Sequence, residues 1–196
     1  MNFLAHLYLS GPDVDIRLGN FIGDYVKGRS FSGYPEKVQK GIILHRAIDS
    51  FTDKHNSTHE CIKILRPGYG RYAGVVVDIV FDHILANEWE KYSKYDLKAF
   101  TRSFYFQMIR KYKMLPETVR KFLPFMIHSN RLYSYRTLDG FSRALEIMSS
   151  VTSLPNNTKF AVEAVEQNYD LFSAHFNKFF PEMKAFVLKE YGIEQG

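Results

Sequence analysis

The sequence of 196 residues holds a single cysteine, Cys61, and a single tryptophan. A lone cysteine cannot form an intramolecular disulfide, which excludes a disulfide framework and any cysteine-rich zinc site. A reducing compartment, the cytoplasm, is the expected location. The N-terminal MNFLAHLYLSGP is apolar but lacks a basic leader and a small-residue cleavage site, and Gly11-Pro12 ends the run too early for a membrane span. It reads as a first core helix. No Gly-x-Ser-x-Gly elbow and no phosphate-binding glycine loop occurs, so the sequence gives no support to nucleophilic serine catalysis of that type or to a nucleotide loop. Internal repeats, low-complexity tracts and Ser/Gly-rich linkers are also missing.

What is present is 45% apolar residues in a length that closes one core, so residues 1–196 are expected to form a single domain. The breakers Gly11-Pro12, Gly33-Tyr34-Pro35, Pro67-Gly68, Pro116 and Pro155 separate stretches of helical length, which predicts an all-α, helical-bundle fold. Pro35 sits at a first-turn position and opens a long helix to His55. Ser57-Thr58-His59-Glu60 has the form of a capping box, predicting a new short helix that ends by Pro67. The segment 71–92 is apolar on nearly every face, and its length favours a buried helix over a strand at Val75-Val76-Val77. Asp96 is a candidate N-cap, followed by helices over 96–113, 116–135 and 139–151 and a helical pair within 158–191. The 17 Phe and 13 Tyr fall mostly at helical intervals, the pattern of core packing. A formal charge of +5 favours an acidic partner: nucleic acid, phosphate esters or an acidic protein.

His45, Asp49 and Asp53 are spaced i, i+4, i+8, an arc of about 80° on one helix face. In the next long helix Asp78 and Asp82 are four apart, with His83 adjacent and with Val75, Val77, Ile79, Val80, Phe81 and Ile84 around them. An ionised carboxylate in such apolar surroundings costs several kcal/mol unless a cation or several donors compensate. Arg46 or a divalent metal would supply that charge. Asn2 and His6 are also four apart, and Asn20 and Asp24 share a face of the segment 13–28, so four elements each present a polar pair. Mixed His/Asp ligation without cysteine suits Mn²⁺, Fe²⁺, Zn²⁺ or Mg²⁺, and such ions support phosphoester hydrolysis. The competing interpretation is a buried salt-bridge network with no metal. His55, His59, His128 and His175 lack carboxylates in a matching register and read as ordinary histidines.

The blocks MNFLAHL, LGNFIGDYVKG, GIILHRAIDSFTD, VVVDIVFDHILANEW, SYRTLDGF and NYDLFSAHFNKFFPEMK resemble, in order and over most of the chain, the acyl carrier protein phosphodiesterases. That resemblance implies an all-α fold distantly related to the HD-domain phosphohydrolases, with a divalent cation, usually Mn²⁺. It also implies hydrolysis of the phosphodiester joining 4′-phosphopantetheine to a serine of holo-acyl carrier protein, a small acidic protein, with neither nucleic acid nor membrane as partner. By position, Asp24 matches the aspartate regarded as essential in the family, and His45, Asp49, Asp53, Asp78, Asp82 and His83 match its His/Asp blocks. His6 keeps its place, but His6-Leu7-Tyr8 stands where family members often read His-Leu-His. The expected metal set is therefore drawn from His6, Asp24, His45, Asp78, Asp82 and His83. Asp24 and Asp49 are expected to act on the water and Arg46 to clamp the phosphate, while Asp49 and Asp53 remain open as residues that orient imidazoles instead. The basic stretches Arg110-Lys111-Lys113, Arg120-Lys121 and Arg131 with Arg136 are candidate docking surface. A nucleotide- or small-ester-directed phosphohydrolase and a non-catalytic binding bundle are the rival functions.

Overall fold

The computed structural model describes residues 2–195, and among these there are helices and turns but no strand. The helices are α1 (Phe3–Leu9), α2 (Val14–Phe21), α3 (Glu36–Lys54), α4 (Asn56–Tyr69), α5 (Ala73–Asn87), α6 (Leu97–Arg110), α7 (Glu117–His128), α8 (Arg131–Ser134), α9 (Leu138–Val151), α10 (Thr158–Gln167) and α11 (Tyr169–Tyr191). Buried side chains from α1 through α11 join one apolar cluster. Among the described residues no helix is long and apolar enough to cross a membrane.

The central element is α5. Burial of Val76, Val77 and every residue from Ile79 to Ala86 shows why its sequence is apolar all round: α1, α4, α9 and α11 pack against it. The valine run is helical, as its length requires. α2 and α3 cross at a pair of glycines, where a Cβ on Gly19 would collide with the Val38 carbonyl and one on Gly41 with the Ile16 carbonyl. Only hydrogen at both positions allows this backbone-to-backbone approach.

Three expected boundaries shift. α4 starts at Asn56 and not after a Ser57 cap: His55 Nδ1 accepts the Ser57 amide at 3.1 Å, Ser57 and Thr58 are buried, and Glu60 turns outward to Lys63 at 2.7 Å. α4 also continues through Pro67 to Tyr69. Pro67 lacks the N–H that would bond the Lys63 carbonyl, so the helix passes it with one ladder bond fewer. The expected helix over 116–135 breaks at Asn130, whose φ of 45° and ψ of 47° are left-handed, a conformation asparagine tolerates better than most residues.

Candidate metal centre

His6 on α1 and His45 on α3 are both buried, and their rings stack at 4.2 Å between centroids. Between them, from α2, comes the fully buried amide of Asn20. Its Nδ2 donates to the His6 carbonyl and to Ser10 Oγ, each at 2.9 Å. Since a carbonyl only accepts, this fixes the amide orientation and turns Oδ1 toward the rings. Oδ1 accepts from His6 Nδ1 at 2.7 Å and lies 3.3 Å from His45 Nδ1. The other ring nitrogens point the opposite way, with His6 Nε2 3.1 Å from Asp49 Oδ1 and His45 Nε2 3.1 Å from Asp49 Oδ2. Asp24 Oδ1 is also 3.1 Å from His45 Nε2. Asp24 does not continue α2 but sits in the 3-10 turn Gly23–Tyr25, where glycine at 23 leaves room for the His45 ring.

The two imidazoles differ electrically. Burial, reinforced by repulsion from His45, lowers His6 to about 4 against the pull of Asp49. Burial also opposes charge on His45, but hydrogen bonds to Asp24 and Asp49 outweigh it and raise the ring to about 9. Asp49 resists burial through its bonds to both histidines and stays far below the usual carboxylate range, and the His45 bond lowers Asp24 in turn. A neutral His6 has one ring proton for two oxygen contacts, Asn20 on one side and Asp49 on the other. With the proton on Nδ1, a lone pair at Nε2 faces a carboxylate, an arrangement that a cation resolves. His6, His45 and Asp49 offer ligand atoms within 4.8 Å of one another. Two imidazole nitrogens and a carboxylate fit Mn²⁺, Fe²⁺ or Zn²⁺.

This cluster borders a cleft of about 370 Å³ lined by Asn2, Asp24, Asp49, Asp53, Val75, Asp78 and Met148. Half-buried Asp78 is raised by burial, with the charges of Asp49 and Asp53 adding to the effect. Asp24, with 68% of its side chain exposed, stands at the rim.

Asp82, His83 and Arg46 stand outside this cluster. Asp82 was expected as a ligand, but its carboxylate accepts the amides of Leu4 at 2.7 Å and Ala5 at 3.0 Å, closing the N-terminus of α1 where Asn2 provides no side-chain cap. The amides at the start of α1 compensate this buried carboxylate. His83, likewise expected as a ligand, donates from Nδ1 to the Tyr135 carbonyl at 2.6 Å, and Asn87 Nδ2 lies 3.2 Å from its Nε2. It lines a different surface, with Arg136, Leu138 and Tyr169. Arg46 donates to the Val26 carbonyl at 2.7 Å and stacks over Phe31, which ties down the segment after Asp24. Conversely, Asn20, noted only as sharing a face with Asp24, is central, and Asp49 joins the two histidines in the group whose polar atoms lie together. An asparagine in the buried stretch Leu18-Gly19-Asn20-Phe21 was the available signal.

Fold and cluster together define an all-helical protein in which two buried imidazoles and a half-buried carboxylate form a group that could hold a metal ion. Residues 1–183 match the family model described as acyl carrier protein phosphodiesterase, and the chain belongs to that family. Relatives bearing that name include one from Enterobacter sp. (strain 638), 30% identical over 93% of this chain and 95% of the relative. One from Photorhabdus laumondii is 31% identical over 93% of each chain. No solved structure matches the chain significantly.

Proposed function

We propose that the protein is a metal-dependent phosphodiesterase that cleaves the 4′-phosphopantetheine–serine phosphodiester of holo-acyl carrier protein, releasing apo-protein and 4′-phosphopantetheine. The observation that carries this reading is the convergence of two Nε2 atoms on Asp49 at the edge of an open acidic cleft, in a chain of this family. A divalent ion held by His6, His45 and Asp49, most naturally Mn²⁺, supplies charge that offsets the phosphoryl oxygens and acidifies water. Asp24, ionised and exposed at the rim, receives the proton of the attacking water as its oxygen bonds to phosphorus; the phosphorus–serine oxygen bond breaks and the departing oxygen takes a proton from solvent to become the serine hydroxyl. Asp78 and Asp53 line the same cleft and are candidate further ligands. Arg46 keeps guanidinium donors available for phosphate beyond the one given to Val26.

Between residues 97 and 136 there are nine basic residues and one acidic residue, Glu117, a local excess larger than that of the whole chain. The same segment exposes Phe106, Ile109 and Phe125, and its α7 contacts Tyr25, the residue after Asp24, through Phe122 at 5.4 Å. A basic surface with apolar centres suits an acidic helical protein, and we assign the docking of acyl carrier protein to it. The test is incubation with holo-acyl carrier protein and Mn²⁺ followed by intact mass measurement. Loss of the phosphopantetheine arm is expected, reduced about 10²–10⁴-fold in Asp24→Asn. An unchanged mass, or faster turnover of a nucleotide or small phosphate ester, would overturn the assignment.

A further inference from the structure

We infer that Asn20 is a positioning residue that fixes the tautomer of both histidines at once, so that His6 and His45 present Nε2, and never Nδ1, to the metal. This rests on the metal reading above and adds a residue outside the set drawn from the family resemblance. Two groups compete for the imidazole protons. Asp49 draws a proton to Nε2 of each ring across 3.1 Å, which would abolish both as ligands. Asn20 Oδ1 draws one to Nδ1, at 2.7 Å for His6 and 3.3 Å for His45. The amide cannot rotate away, because its Nδ2 is engaged by the His6 carbonyl and Ser10 Oγ, and Ser10 Oγ itself donates to the His6 carbonyl at 2.7 Å. The residue is fully buried, so water does not substitute for it. An acceptor that orients metal-bound imidazole through its second nitrogen supports both ring direction and ligand basicity. Here one oxygen serves two rings from two different helices, so a single change should disturb both ligands.

The test compares wild type with Asn20→Leu, similar in size but unable to accept, and Asn20→Asp, which keeps an acceptor oxygen. Zn²⁺ affinity is measured by calorimetry, imidazole protonation by long-range ¹H–¹⁵N spectra of the metal-free and zinc-loaded proteins, and folding by circular dichroism. In metal-free wild type His6 should carry its one proton on Nδ1, while His45, charged at neutral pH, carries both; on zinc addition both Nε2 atoms should shift and both Nδ1 atoms should stay protonated. Asn20→Leu should bind zinc about 10–100-fold more weakly, and Asn20→Asp should bind more tightly than the leucine variant. A wild-type spectrum with either Nδ1 unprotonated, or leucine-variant affinity equal to wild type, overturns the inference. If Asn20→Leu fails to fold, the wild-type spectra still decide. The assay contains no acyl carrier protein, so failure of the proposed activity leaves these readouts unaffected. Absence of zinc binding in wild type would count against the metal reading, and the metal-free spectra would then judge Asn20 separately.

Discussion

Replacing Asp82 with asparagine should make the stability of the variant and of the wild type diverge with pH. Asp82 is fully buried, and burial raises its carboxyl to about 7 against the opposing amide bonds of Ala5 and Leu4. Between the unfolded value near 4 and the folded value near 7, the native protein holds a proton that the unfolded chain has lost. Wild-type stability from this group therefore falls as pH rises through that window, and the loss is complete above it. At 1.36 kcal/mol per pH unit the swing is about 4 kcal/mol. Asparagine cannot ionise and lacks this slope. It also offers one acceptor to two amides, a pH-independent cost of about 1–3 kcal/mol. Asp82→Asn should thus be the less stable protein near pH 4 and draw level with or overtake wild type above pH 7. Urea unfolding of both proteins at several pH values measures the difference, in which the contributions of Asp49 and His45 cancel. Parallel curves from about pH 4 to pH 8 would refute the assignment of Asp82 as a buried, proton-holding cap.

Gly41→Ala should destabilise the fold by about 1–3 kcal/mol despite its better helix propensity, because the new methyl meets the Ile16 carbonyl; thermal unfolding checks this. Gly23→Ala drives a methyl into the His45 ring and should weaken Mn²⁺ binding about 10–100-fold by calorimetry. Removal of metal with a chelator should abolish turnover and lower the melting temperature, and Mn²⁺ should restore both. Charge reversal at Arg110 and Lys113 should raise KM for holo-acyl carrier protein with kcat unchanged, and salt should shrink the difference.

The helical architecture was legible because periodic apolar residues and proline or glycine breaks report local structure directly. The interruptions were less so. His55 caps α4 with a ring nitrogen, a contact with no sequence pattern of its own, and Asn130 breaks a run whose apolar periodicity continues across it. At the site, the i, i+4 pair His45-Asp49 was readable, since one helix face holds both. Asp82 satisfied the same spacing rule yet serves α1, because the requirement that a buried carboxylate be compensated does not say by what. Distinguishing metal from amide needed the position of α1 relative to α5, a tertiary fact. Asn20 was hidden for the same reason: its partners lie 14 and 25 residues away on two other helices.

The glycine crossing of α2 and α3 acts as a gauge for the whole centre. Asn20 directly follows Gly19, and His45 lies one turn beyond Gly41, so hard contact between two backbones sets the gap that the amide must bridge. A displacement of α2 would first stretch the longer bond from Asn20 to His45, at 3.3 Å, while the 2.7 Å bond to His6 persists. Damage at the crossing would therefore make the paired histidines unequal before it unfolds the protein, leaving one ligand aimed and the other adrift.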